Sequence, residues 1–343
     1  MTQMRMSERR TTFLGAFLTT LGPISMAIYT PAMPELVRAF GTTDAAIKLS
    51  LSMFFAGFAL AQLVAGPLAD ALGRKKATLI FLAIYLAGSL LAFVAPSVEF
   101  ILAARLVQGI GASVGVVVGR SIVRDLYTGA DASRILNTIG IFLAVGPAMG
   151  PTLGGLTLAA FGWNAVFLLM VAFGLMAMAF TLLLLRETII PDLGRLRPGQ
   201  LWRNYIDVAG NARFIAASLV LSGTIGALYA QSTMLPFVLI NEVGLTPTQF
   251  GLGMLMQSGA YLTGSLTLKL VSRRISGLTA SRIGIAFCGS GAIAMALSGK
   301  RPTTPTSCGA SSACAACAGE SGSRNSRRDG PASGVATGNT VSP

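Results

Sequence analysis

Between residues 11 and 297 the chain repeats one unit, a run of about 20 mainly apolar residues closed at each end by charges, Pro/Gly turns or Asn/Asp. A helix rising about 1.5 Å per residue crosses the ~30 Å hydrocarbon core of a bilayer in such a run. Nine runs fit: Thr11–Tyr29, Leu49–Leu68, Ala77–Val94, Phe100–Val118, Ile135–Leu158, Ala165–Leu185, Phe214–Leu239, Phe250–Leu268 and a weaker Leu278–Leu297. Their internal glycines and prolines are compatible with helix, which bilayer proteins tolerate better than soluble ones. Only 11% of the 343 residues are charged and 53% are hydrophobic, whereas a soluble domain carries about 25% charge. Lipid must therefore solvate much of the surface. The expected fold class is an all-α polytopic membrane protein.

The net charge of +13 raises the question of a nucleic-acid partner. Its placement answers otherwise. Arg5, Arg9 and Arg10; Arg74, Lys75 and Lys76; Arg120, Arg124 and Arg134; Arg186, Arg195, Arg197, Arg203 and Arg213; and Lys269, Arg273, Arg274 and Arg282 all fall at alternate ends of the runs. The opposite ends hold Arg38 and Lys48. Eighteen against two predicts a cytoplasmic N-terminus, lipid as the surrounding phase and no nucleic acid. The absence of histidine excludes His-based catalysis and imidazole ligation. Cys314 and Cys317 form a lone CxxC with no second pair, so no metal site is expected. The first run continues past Pro23 without a small-residue cleavage site, which reads as an uncleaved helix rather than a signal peptide.

Residues 187–213 form the longest polar stretch before the tail, are expected as a central cytoplasmic loop, and divide six runs (residues 1–186) from a further three (residues 214–298). That division is the layout of a transporter built from two repeated halves. Gly66-Pro67-Leu68 before the turn at Arg74 and Gly264-Ser265-Leu266 before Arg273-Arg274 form a faint internal echo. From residue 299 to 343 the chain contains no Leu, Ile, Met, Phe, Trp or Tyr, so a disordered tail is expected there. An Arg/Gly/Ala/Ser/Pro mixture of this kind is what a GC-rich gene gives when read out of frame.

Short motifs narrow the class. The turn from Gly66 to Lys76, GPLADALGRKK, places Asp70 beside Arg74 and Lys75, with Gly66 and Gly73 allowing a tight turn. In this location it resembles the signature GxLaDrxGrkxxl of the major facilitator superfamily. Leu102–Ala112, with Arg105, Gln108 and Gly109, is similar to that family's fourth-helix motif RxxqGxga. Gly146, Pro147 and Gly150, followed by Gly154 and Gly155, resemble the fifth-helix motif of its antiporter branch. Tyr29-Thr-Pro31-Ala-Met-Pro34, the stretch Arg120–Tyr127 and the stretch Asn241–Pro247 resemble the bicyclomycin/chloramphenicol-resistance subfamily of drug:proton antiporters. The resemblance runs from about Thr12 to Leu297 and implies a major facilitator fold, a complete N-terminal six-helix half and a partial C-terminal half, truncated after about nine helices.

The function so implied is multidrug efflux across a bacterial inner membrane by proton antiport with alternating access. Drug and protons are the implied partners, with no cofactor beyond the proton gradient and a monomeric chain. Asp70, Arg74 and their glycines would form a cytoplasmic gate that locks the halves in the outward-open state. Arg105 would sit near the proton and substrate path, the alternative being a side chain that snorkels to the interface. The fifth-helix glycines and Pro147 read as a close-packed, kinked surface against the opposite half. Tyr29, Tyr229, Gln231, Gln257 and Tyr261 are candidate substrate contacts, polar tips in an apolar surround, or else interfacial anchors. Two departures weigh against transport. Subfamily members usually carry an acid two positions before the Tyr of YxPAxP, where this chain has Ala27. Helices ten to twelve give way to the tail. The competing expectation is a non-transporting membrane remnant of such a carrier. An enzyme is the weakest reading, because no nucleophile–base pair, metal cluster or phosphate loop appears.

Overall fold

The fold is seen in a computed structural model that describes residues 6–196 and 198–255 and the single positions 259, 263, 286, 289 and 290. α1 (Glu8–Tyr29) runs through a 3-10 turn at Thr30–Ala32 into α2 (Met33–Ala39); α3 (Asp44–Leu72), α4 (Arg74–Phe93), α5 (Val98–Leu126), α6 (Gly129–Phe161) and α7 (Trp163–Leu184) follow. A 3-10 turn at Leu193–Leu196, α8 (Pro198–Ala209), α9 (Ala212–Pro236) and a π-helical turn at Phe237–Glu242 complete the assigned elements, and 247–255 is again helical.

The first seven predicted runs are helical over nearly their whole length, each helix beginning ahead of the apolar window. The extension has a local cause. Side chains of Thr43, Ser97 and Asn211 cap α3, α5 and α9 by accepting the amides of Ala46, Phe100 and Phe214, which starts each helix in polar residues ahead of the hydrocarbon. Among the described residues, six helical stretches are long and apolar enough to cross a membrane. The eighth predicted run is described only through residue 255, and the ninth run and the tail lie outside the described residues. The polar stretch 187–213, expected as a loop, contains α8.

α5 sits at the centre of the N-terminal bundle because its glycines remove side chains where three neighbours cross. A Cβ at Gly109 would run into the Phe54 carbonyl on α3, one at Gly111 into the Tyr85 backbone on α4, and one at Gly115 into the Leu18 carbonyl on α1. Such contacts bring backbones together, and in lipid, where no hydrophobic drive exists between helices, van der Waals packing of this kind supplies association. The buried core spreads from Leu14, Leu18 and Leu21 on α1 through Phe54, Leu82 and Ile101 to Phe167 and Met170 on α7. The outer faces expose Leu60, Leu63, Ile80, Leu91 and Leu183, the surface that lipid wets.

Candidate functional site

The turn between α3 and α4 is a closed electrostatic cluster. Gly73 takes φ +92°, a conformation that side chains resist, and breaks the helix between Leu72 and Arg74. As the N-cap of α4 it has no side chain to accept the free amides of the first turn. Glu187, past the end of α7, supplies the acceptors: its two carboxylate oxygens accept the Arg74 amide at 2.6 Å and the Lys75 amide at 3.2 Å. A Cβ at Gly73 would stand 2.6 Å from a Glu187 oxygen, so the glycine also makes the space. The Arg74 side chain turns inward, Nη1 lying 2.6 Å from Asp70 Oδ1 and Nε donating to Asp125 Oδ2 at 3.0 Å. Thr188 donates to the same oxygen at 2.8 Å, and Lys75 Nζ donates to the Leu182 carbonyl at 2.8 Å. The cluster thus ties the ends of α3, α5 and α7 to the start of α4. Asp70, Gly73, Arg74 and Lys75 meet there, while Gly66 lies up the helix, where its Cβ would touch Val117. Asp125 falls within the Arg120–Tyr127 stretch, which carries no assigned role in the sequence, and Glu187 and Thr188 stand in no motif. An acid directly after Arg186, at the end of an apolar run, was the available signal; its partners lie 112 and 113 residues away.

Arg105 is fully buried in α5, which removes the snorkelling alternative. Its guanidinium is held between two rings, 4.3 Å from the centroid of Tyr29 and 4.5 Å from that of Phe54. Nη1 donates to Gln108 Oε1 at 2.5 Å, and Gln108 Nε2 donates to Ser89 Oγ at 2.7 Å and approaches Met170 Sδ at 3.3 Å. Nε and Nη2 have no hydrogen-bond partner among the described residues. The Tyr29 and Ser50 hydroxyls pair at 2.6 Å, as do those of Tyr85 and Ser25. Among the described residues the charge is therefore compensated by ring faces and dipoles, not by a carboxylate. A cation held between aromatic faces gains roughly 2 kcal/mol per face when desolvated, comparable with the ~3 kcal/mol that insertion scales assign to a charge at mid-bilayer. Tyr29 is buried inside this cluster and is no interfacial anchor. Phe54, Ser50, Tyr85 and Met170 were not legible as members, because nothing in an apolar run marks which residues face its only charge.

The fifth-helix motif faces a different way from the one expected. Gly146, Gly150 and Gly154 abut α1 of the same half: an added Cβ would meet Thr20, Ala27 and the Ile28 carbonyl respectively. The adjoining face of the same turns of α6 reaches the opposite half, where Gly155 faces the Pro247 carbonyl and Thr152 donates to the Gly251 carbonyl at 2.8 Å. Pro147 lies within α6 between these contacts. The physical reason is register: residues four apart share one helix face, and 146, 150 and 154 form one such row. Ala27 belongs to this seam and packs on Gly150.

Of the remaining candidates, Tyr229 sets its ring edge-on to Phe55 of α3, centroids 4.9 Å apart, and so lies where the two halves meet. Gln231 is half-buried with a buried amide nitrogen that has no hydrogen-bond partner among the described residues. Gln257 and Tyr261 lie outside the described residues. Among the described residues no group of three His, Cys, Asp or Glu could hold a metal ion.

Comparison with known proteins gives a consistent picture. A family model described as Major Facilitator Superfamily matches residues 13–322. An uncharacterized MFS-type transporter of Bacillus subtilis (strain 168) is 29% identical over 262 residues, 74% of this chain and 65% of the relative. A bicyclomycin resistance protein homolog of Haemophilus influenzae is 27% identical over 82% of this chain and 72% of its own length. A chloramphenicol resistance protein of Pseudomonas aeruginosa is 35% identical over 48% of this chain and 39% of its own. Among solved structures, a bacterial homolog of the human lysosomal transporter Spinster superposes with a TM-score of 0.66 at 16% identity, covering 93% of this chain and 74% of that one. This chain thus spans less than two thirds of the first relative's length.

Proposed function

This chain belongs to the major facilitator superfamily, and we propose that it acts as an exporter of amphiphilic antibiotics, bicyclomycin- or chloramphenicol-like, by proton antiport. As a member of that family it is a membrane-spanning transporter rather than an enzyme, and it needs no cofactor. The observation that carries the proposal is the Arg105 cluster: a charge buried inside a membrane-spanning helix and held against the Tyr29 and Phe54 rings, with the two halves in contact at Phe55 and Tyr229. Intramembrane charge is costly and is concentrated where a transporter moves ions or substrate. The printed names of the relatives from Haemophilus influenzae and Pseudomonas aeruginosa support the substrate class.

In the proposed cycle the N-terminal half rocks as one body against the C-terminal half. The seam of Thr152 and Gly155 against 247–251 closes one end, and the cluster of Asp70, Arg74, Lys75, Asp125 and Glu187 gates the other. Arg74 is saturated by acids of its own half, so it stiffens α3, α4 and α5 as a unit that swings without internal strain. Tyr29, Tyr229 and Gln231 offer polar tips near the path, and Gln257 and Tyr261 are proposed to join them. The protein is proposed to sit in a bacterial inner membrane as a monomer, with the gate turn and the N-terminus in the cytoplasm, as the arginine and lysine asymmetry favours. Direct measurement of drug efflux from a hypersensitive bacterium expressing the full chain tests this. Faster efflux than from cells carrying Arg105→Met is the expected result, and equal rates would overturn the proposal.

A further inference from the structure

α8 (Pro198–Ala209) is amphipathic by position. Leu201, Trp202, Tyr205, Ile206 and Ala209 recur at helical spacing along one side, and Arg203 and Asp207 lie opposite. Yet the apolar side is not covered: Trp202 is 69% exposed and Ile206 52%. Ile190 and Leu193, just before it, are also exposed. A tryptophan laid open on a helix beside a membrane bundle is placed where the ring's apolar body and polar N–H are both satisfied, at the lipid–water boundary.

Two further observations fix what covers this face. First, the Tyr205 hydroxyl donates to the Leu63 carbonyl of α3. Pro67 lies within α3 and has no N–H, so the carbonyl four residues before it is left without its helical partner. Leu63 is nine residues, about 13 Å, from the gate-turn end of α3, a depth that a tyrosine on a helix at the bilayer surface reaches. Leu60, Leu63 and Val64 on that stripe of α3 are themselves exposed, so the α8 face continues a lipid-wetted belt. Second, residues 186–213 carry Arg186, Arg195, Arg197, Arg203 and Arg213 against Glu187, Asp192 and Asp207, and Glu187 is already held by the α4 amides. Basic residues bracketing an apolar helix face suit anionic headgroups.

We propose that α8 lies in the bilayer surface at the gate-turn end of the bundle, with Trp202, Tyr205 and Ile206 set among the acyl chains and the surrounding arginines on anionic phospholipid headgroups. Through Tyr205 the helix ties the lipid surface to α3, seven residues before Asp70. The inference stands apart from the substrate and the coupling ion. Trp163 and Trp202 are the two tryptophans, so the full chain carrying Trp163→Phe reports Trp202 alone. It is reconstituted into phosphatidylcholine vesicles with or without phosphatidylglycerol. The expected result is a blue-shifted emission, lost when the lipids carry bromine near the top of their acyl chains and protected from aqueous iodide. Protection should be stronger with phosphatidylglycerol, and Arg203→Gln with Arg213→Gln should remove that difference. The difference spectrum between the native chain and Trp202→Phe gives the same reading without depending on the Trp163 variant. Emission like that of free tryptophan, quenched by iodide and not by bromine, would overturn the proposal; equal protection in both vesicles would overturn its anionic part.

Discussion

Replacing Arg105 by Met separates a charge retained for function from one retained for packing. The guanidinium is fully buried, and withdrawing a charge from within a membrane span relieves at most about 3 kcal/mol. Against that stand two desolvated ring contacts, at 4.3 and 4.5 Å, about 2 kcal/mol each. A methionine sulfur against the same rings returns roughly 1 kcal/mol in all. Gln108 loses the donor to its Oε1, about 1–2 kcal/mol, while keeping Ser89. The balance is a loss on the order of 1–2 kcal/mol, and adding Gln108→Leu should bring it near zero. Thermal unfolding in detergent should therefore show both variants folded, the double variant close to the parent, while drug efflux is abolished in each. Arg105→Lys keeps the charge but loses the planar stack, so part of the efflux should survive. Unfolding of the double variant, or efflux that survives removal of the charge, would refute the reasoning.

Glu187→Gln removes the carboxylate that accepts the α4 amides; since the residue is exposed, the loss should be only about 1 kcal/mol, read as a lowered unfolding temperature. Gly73→Ala, strained at φ +92° and pressing on the same carboxylate, should cost more, and the two together should cost less than their sum, since one contact is lost twice. Gly109→Ala drives a methyl group into the Phe54 carbonyl and should destabilise by about 1–3 kcal/mol or prevent folding, whereas Gly140→Ala, with nothing within 4 Å, should unfold like the parent. Ala27→Asp should neither raise stability nor alter the gradient dependence of transport, because residue 27 packs on Gly150 and lies about 200° around the helix from Tyr29; a stabilised variant would show that the two faces communicate.

The apolar runs were legible because a bilayer imposes length and composition on each segment separately, and that demand is local. The gate turn was legible for a related reason: Asp70, Gly73 and Arg74 are near in sequence, so their spacing alone brings acid and base together. What stayed hidden was set by tertiary contact. Glu187 could be seen as an acid after an apolar run but not as the acceptor for amides more than a hundred residues away. Phe54 and Tyr29 read as one more apolar residue and a candidate drug contact, and only helix crossing places them on the two sides of Arg105. The fifth-helix glycines were recognised as a packing row, but which neighbour they face depends on rotation about α6, to which the sequence pattern is blind. α8 was taken for loop because 12 residues are too few to register as a span, although its apolar positions already recur at helical spacing.

Transport by the purified full chain in proteoliposomes, with radiolabelled chloramphenicol uptake followed under an imposed pH gradient, tests most directly whether Arg105 serves proton-coupled drug movement. Uptake should depend on the gradient, collapse when a protonophore is added, and be absent from Arg105→Met vesicles carrying equal amounts of folded protein. Uptake indifferent to the gradient, or equal in the Arg105→Met vesicles, would contradict that role.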